Sequence, residues 1–291
     1  MKQKQRFQSI LLHLIITPLA LLFLVPIAWM LIAATLPNSE IISSPPSLTF
    51  GSALTENWND LNSRFITPSR NTSGLDLSQL GYARVMLNSI LIAVVYTVLA
   101  TLISAMAGYA FAKFEFRGKT LLFGIIIATM TIPYSIVVIP QFLLVARELG
   151  LSNTYWAVIL PSLASTLGIF FMRQSLVSLP DELLDAARVD GANEFRIFFQ
   201  IVLPISLPSM AAIAIVLFLA QWNDYLWPLL VLTDSASYTI PVALGTLVGL
   251  TNISWGGIMI GTSLATIPFL IMFLFLQRYF IAGISAGALK E

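Results

Sequence analysis

The stretch Leu179-Pro180-Asp181-Glu182-Leu183-Leu184-Asp185-Ala186-Ala187-Arg188-Val189-Asp190-Gly191 concentrates charge in a chain that is only 10% charged, and it interrupts an otherwise apolar sequence. It reads as one short helix. Pro180 suits a first turn, where its missing N–H costs nothing, and Asp181 and Glu182 meet the positive end of the helix dipole. Gly191 can end the helix in a left-handed turn. A helix of about ten residues cannot form a core alone, so its Leu183, Ala186, Ala187 and Val189 surface needs a neighbour. That neighbour is either another protein's groove or the chain's own helix ends. Beyond the turn, Phe195, Phe198 and Phe199 give an apolar face to a second helical piece, which Pro204 and Pro208 redirect into the next apolar run.

Outward from this stretch the sequence is that of a lipid-embedded protein. Over 291 residues it is 57% hydrophobic, with a mean hydropathy of +0.87. A soluble domain carries roughly 25% charged residues. A bilayer core about 30 Å thick needs roughly 20 apolar residues per helix, and six apolar windows of that order occur, at about 11–35, 86–112, 120–145, 154–172, 206–231 and 256–277. The expected fold class is all-α, a polytopic transmembrane helical bundle of about six spans. The apolar run behind Lys2, Lys4 and Arg6 is longer than a signal-peptide core and lacks a small-residue cleavage site, so it reads as a retained helix.

Charge placement orients the bundle. With the N-terminus inside, the inner side collects Lys2, Lys4, Arg6, Lys113, Arg117, Lys119, Arg173, Arg188, Arg196, Arg278 and Lys290, eleven of the fifteen basic residues. The outside keeps Arg64, Arg70, Arg84 and Arg147, a bias expected of an N-in, C-in protein. Two divisions follow: 1–85, the first span with a polar outer loop over 36–85, and 86–291, five spans with the charged helix near 180–191 on the inner side. A net charge of +1 provides no basic field for nucleic acid.

Catalytic chemistry finds little to work with. There is no cysteine, and His13 is the only histidine. Neither an HExxH zinc pair nor a GxxxxGK[ST] phosphate loop occurs, so a metalloprotease and an ATPase site are both excluded, and any energy source must come from another chain. Ion-coupled carriers place several ionisable groups at mid-membrane; here only Asp224 qualifies. It sits in Gln221-Trp222-Asn223-Asp224-Tyr225-Leu226-Trp227-Pro228, read as part of the fifth helix. Trp222, Asn223, Asp224 and Tyr225 could line a path for a sugar-like solute, while an aromatic belt with a helix-ending proline explains the same residues. Pro18, Pro26, Pro133, Pro140, Pro161 and Pro268 recur inside the windows as candidate kinks or unwound turns. Gly108, Gly168, Gly257 and Gly261 suit close helix packing.

Asp185-Ala186-Ala187, then Gly191, then Ile201 and Leu203-Pro204 at their spacing resemble the EAA signature of membrane subunits of binding-protein-dependent ABC importers, with Asp in place of the usual Glu. The resemblance runs from about Asn88 to Glu291. It includes Asn88-Ser89, Gly108-Tyr109-Ala110-Phe111-Ala112, Phe116-Arg117-Gly118, Leu149-Gly150-Leu151, Trp222-Asn223 and Gly283…Ala286-Gly287-Ala288, and it is nearest to the smaller membrane subunit of maltose-type importers. It implies the type I ABC importer membrane-subunit fold in a bacterial plasma (inner) membrane. It also implies a second homologous permease subunit as heterodimer partner, two ATP-binding subunits that hold ATP and Mg, and an extracytoplasmic solute-binding protein. The chain itself would then be a non-catalytic permease subunit with no cofactor, importing a sugar or sugar-like solute such as an oligosaccharide, glycosylated polyol or glycerol phosphate. Carried over, Glu182, Asp185, Ala186, Ala187, Arg188, Asp190 and Gly191, with Ile201, Leu203 and Pro204, would form the ATPase-coupling contact. The tail from Gly283 to Glu291 and the loop 232–255 are implied to reach the ATPases and the binding protein respectively. The competing reading is an ion-coupled secondary transporter or channel that works without an ATPase.

Overall fold

The computed structural model describes residues 2–66, 78–249 and 253–288, with side chains described over 12–66, 79–249 and 253–278. Arg70, Lys290 and Glu291 lie outside the described residues, as do parts of the 36–85 and 232–255 loops. Among the described residues every regular element is helical. In chain order the longer elements are α1 (Lys2–Ala33), α2 (Leu54–Ser63), α3 (Tyr82–Lys113), α4 (Lys119–Thr129), α5 (Tyr134–Phe142), α6 (Tyr155–Ile159) and α7 (Thr166–Val177). They continue with α8 (Asp181–Val189), α9 (Glu194–Ile197), α10 (Leu207–Trp222), α11 (Leu226–Val231), α12 (Ile240–Val248) and α13 (Trp255–Ala288).

Three helices are long and apolar enough to cross a bilayer unbroken: Leu12–Ala33, Tyr82–Lys113 and Trp255–Arg278. The windows at 120–145, 154–172 and 206–231, expected as single helices, are not. Each belongs to a pair of helices bent sharply at a short break, by 96° between Lys119–Thr129 and Tyr134–Glu148, by 45° between Tyr155–Ser162 and Thr166–Val177, and by 78° between Glu194–Ile205 and Leu207–Trp222. With each bent pair counted as one span, the total is six.

The causes of these breaks are local. Pro133 is extended (φ −60°, ψ 131°) and has no N–H to continue α4. The hydroxyls of Thr129 and Thr131 donate to the carbonyls of Ile126 and Ala128 at 2.6 and 2.8 Å, and so occupy acceptors near the helix end. Ser165 starts α7 afresh, its Oγ accepting from the Gly168 N–H at 3.1 Å. The third pair pivots at Ser206, between Pro204 and Pro208, and its span begins at Glu194 rather than 206 and closes at Trp222. Pro18, Pro26 and Pro268, by contrast, sit inside the unbroken helices α1 and α13. Proline alone therefore did not locate the bends.

The chain divides into two compact units. The first comprises Met1–Arg84 with Leu244–Ile267. Here buried Asn57 on α2 donates through Nδ2 to the carbonyls of Ala34 (3.0 Å) and Leu36 (2.8 Å), just past the end of α1. Tyr82 donates to the Gly261 carbonyl at 2.9 Å. A Cβ on Gly256 would fall 2.2 Å from Asn57 Cγ, so this packing requires glycine there.

The second unit comprises Val85–Ala243 with Pro268–Glu291. Asn88 and Ser89 pin the loop before α12: Asn88 Nδ2 donates to the carbonyls of Ala236 and Tyr238, both at 3.0 Å. Asn88 Oδ1 accepts from the Tyr155 hydroxyl at 2.6 Å, and Ser89 Oγ accepts from the Ile240 N–H at 2.7 Å. Further along α3, Gly108 and Ser104 lie against α7. A Cβ on Gly108 would come within 2.7 Å of Met172 Cβ and 2.8 Å of the Arg173 backbone nitrogen, and one on Gly168 within 2.2 Å of Ser104 Oγ. Arg173 lies over the Phe123 ring at 4.3 Å from its centre, a cation–π contact between α7 and α4.

Candidate functional site

Helix α8 is built as its residues require. Pro180 (φ −61°, ψ 132°) caps it as the residue before the helix, not within the first turn. Gly191 ends it at φ +82°. Around that turn the N–H groups of Asp190, Gly191 and Ala192 donate to the carbonyls of Ala186, Arg188 and Ala187, each at 3.0 Å. These bonds take up carbonyls that the last helical turn leaves unpaired. Asn193 then caps α9, its Oδ1 accepting from the Arg196 N–H at 2.8 Å.

One of the two candidate neighbours of α8, the chain's own core, covers one face of the helix, and the other face is exposed. Leu184 is 1% exposed and shares a core with Tyr109, Leu179, Ile197 and Phe198, and half-buried Ala187 packs against that core. Leu183 (47% exposed), Ala186 and Val189 (88% exposed) point away from it at intervals of three residues, which aligns them along one side of the helix. Phe195 and Phe199 are also exposed, on α9 and its continuation.

Charges tie α8 to its surroundings at both ends. At its start, buried Lys113 Nζ donates to the Leu179 carbonyl and to Asp181 Oδ1, the latter at 2.7 Å. At its end, Arg188 donates to Asp185 Oδ1 and to Glu194 Oε1, both at 2.8 Å, while the Tyr109 hydroxyl donates to Glu194 Oε2 at 3.0 Å. Hydrogen bonds to Glu194 and then Asp185 push the Arg188 guanidinium above its ordinary pKa, so it stays charged at any working pH. Glu182 and Asp190 are exposed, Ile201 and Leu203 are half-buried, and Pro204 is exposed beyond them. Sequence reasoning missed Tyr109, Lys113 and Glu194 as partners of α8. A lysine ending an apolar helix reads as an orientation signal, and nothing marks its pairing with a carboxylate 68 residues away.

Asp224 does not lie within a helix. Helix α10 stops at Trp222, and Asn223 Nδ2 donates back to the Leu219 carbonyl at 2.9 Å. Asp224 Oδ1 lies 3.5 Å from the Trp227 N–H in the first turn of α11. Trp222 is buried and stacked on Phe218 with ring centres 5.4 Å apart, and the Trp227 indole donates to the Ala157 carbonyl at 3.0 Å. Tyr225 alone among the aromatics from 222 to 227 is exposed. These contacts belong to two helix ends, so Asp224→Asn, which keeps an oxygen acceptor for Trp227, is expected to leave solute uptake at the wild-type rate in reconstituted vesicles. Among the described residues no cluster of His, Asp and Glu could hold a metal ion.

The apolar spans, three of them bent pairs, are those of a multi-pass membrane protein, and comparison with known proteins specifies the family. The family profile for the binding-protein-dependent transport system inner membrane component matches residues 100–286. Among curated relatives, the arabinooligosaccharides transport system permease protein AraQ of Halalkalibacterium halodurans is 43% identical over 203 residues, covering 70% of this chain and 72% of that protein. The lactose transport system permease protein LacG of Rhizobium radiobacter is 36% identical over 99% of this chain and 98% of its own length. The sn-glycerol-3-phosphate transport system permease protein UgpE of Pectobacterium atrosepticum is 33% identical over 93% of each chain. A crystal structure of a bacterial ABC transporter involved in the import of the acidic polysaccharide alginate superposes with a TM-score of 0.66 at 21% identity, over 95% of this chain and 98% of the matched one, and so shares the fold. This chain belongs to the family of binding-protein-dependent transport system inner membrane components.

Proposed function

We propose that this chain is a non-catalytic half of the membrane channel of an ABC importer, carrying a sugar or sugar-like solute inward. In this reading it pairs with a second, similar permease subunit and works with two ATPases that bind ATP and Mg and with an extracytoplasmic solute-binding protein. The observation that carries the reading is the division of α8. Its inner face, Leu184 and Ala187, is locked into the permease, while the Leu183, Ala186 and Val189 row stays bare on the expected cytoplasmic side. An exposed apolar row beside charged residues, with no described residue over it, supports a protein contact there. The solutes for which the relatives are named, arabinooligosaccharides, lactose and sn-glycerol-3-phosphate, support the solute class.

The deciding experiment is reconstitution in liposomes with the ATPases and binding protein encoded beside this chain. Solute uptake should need ATP, both ATPases and the binding protein together. Uptake by the permease subunits alone under an ion gradient would overturn the proposal in favour of a secondary carrier. Within the assembled transporter, Ala186→Glu places a charge in the centre of the bare row without touching the inner core. It is expected to reduce retention of the ATPase on co-purification and to abolish uptake.

A further inference from the structure

The bonds between α3 and α8 suggest how movement of α8 reaches a membrane span. We propose that Tyr109 and Lys113, one turn apart at the inner end of α3, are positioning residues that clamp both ends of α8 to that span, so that α8 and α3 move as one piece. The proposal rests on the reading of α8 as the ATPase-contacting helix.

The attachment has two points, and their geometry differs. At the N-terminal end the Lys113 ammonium is nearly enclosed, its side chain 4% exposed, and it joins a backbone carbonyl, that of Leu179, to the first helical side chain, Asp181. At the C-terminal end the link is a relay: Asp185 to Arg188, Arg188 to Glu194, and Glu194 to the Tyr109 hydroxyl. The Tyr109 ring is in turn held edge-on by Phe114, with centres 5.2 Å apart, and packs on Phe198 at 5.7 Å. One attachment would leave α8 free to swivel about it. Two, at opposite ends of a nine-residue helix, remove that freedom. Asp185, the acidic position of the signature, makes its ion pair within its own chain, which assigns it to the relay. The Arg188, Asp185 and Glu194 side chains are 37%, 66% and 41% exposed. Exposed ion pairs add little stability, which fits a role in holding direction and not in holding the fold together.

The test uses the full transporter in liposomes and reads three quantities: ATPase retained on co-purification, ATP hydrolysed, and solute moved per ATP. Tyr109→Phe removes a single oxygen and Lys113→Met a single charge. Each should retain the ATPase and its hydrolysis while solute moved per ATP falls about five- to tenfold, the size of an ordinary coupling loss. Lys113→Arg should keep most of the ratio. The reversed pair Lys113→Asp with Asp181→Lys should recover part of what Lys113→Asp alone loses, which a purely structural lysine would not show. A wild-type ratio in both Tyr109→Phe and Lys113→Met overturns the clamp. The two readings fail differently: if α8 meets the ATPase but the clamp is idle, Ala186→Glu uncouples and these two variants do not. If α8 makes no such contact, Ala186→Glu is also silent, and the clamp falls with it.

Discussion

A permease carrying Gly108→Val is expected to fail to accumulate, or to unfold well below the wild-type protein when heated in detergent. The added Cβ alone would sit 2.7 Å from Met172 Cβ, 2.8 Å from the Arg173 nitrogen and 2.9 Å from the Met172 carbonyl carbon. Two of those three are backbone atoms of α7 and cannot rotate aside, so α3 and α7 must separate. Forcing extra methyl groups into a packed interior costs about 1–3 kcal/mol, and the rigid neighbours here place this variant at or above the top of that range. Gly168→Ala is the milder companion, because its nearest neighbour is the hydroxyl of Ser104. Full accumulation and an unshifted unfolding temperature for Gly108→Val would show that the two helices do not approach as described.

Gly191→Val should have the opposite profile, a permease that accumulates normally and transports nothing. No atom lies within 4 Å of a Cβ built on Gly191, so the substitution meets open space. Its cost is conformational: at φ +82° an L-residue pays about 1–2 kcal/mol, and a β-branched one more. The turn is expected to relieve this by changing shape, which would shift Glu194 away from Arg188 and turn the Ala186 row. Asn tolerates the left-handed region, so Gly191→Asn should recover much of the uptake. Uptake by Gly191→Val equal to wild type would remove the argument that this turn sets the direction of α8. Together the two glycines separate assembly of the span from aim of the helix, and the assays that read them differ accordingly.

Apolar windows made the membrane class legible in the sequence, with the approximate place of the three unbroken spans and the three bent pairs. The shape of three of them was not legible, because hydropathy measures transfer into lipid and is indifferent to a bend. Pro133 and Pro268 have the same ring and the same missing N–H, yet one marks a 96° break and the other lies in a continuous helix. Part of the difference at Pro133 lies with Thr129 and Thr131, which supply alternative bonds for nearby carbonyls. The charged helix was legible to within a residue, since proline, paired acids and glycine punctuate it directly. Which of its small residues faces inward was not: Ala186 and Ala187 are identical in chemistry, and only the position of Leu184 in the core separates them. Asp224 was misplaced into a helix because the apolar and aromatic residues on both sides of it, through Trp222 and from Tyr225 onward, carry the window across Asn223 and Asp224.

The sharp bend between α4 and α5 also constrains how this protein is made. Helix α4 has 11 residues and rises about 16 Å, roughly half a bilayer core. Released sideways into lipid by itself, it would end in mid-membrane with open carbonyls that hydrocarbon cannot satisfy. The half-helices of such a span are therefore expected to leave the insertion machinery as a joined pair, sheltered first by α3 and covered by α7 once that helix is made. The order of biosynthesis suits this, because α3 is made first and can wait as the surface on which the broken spans assemble.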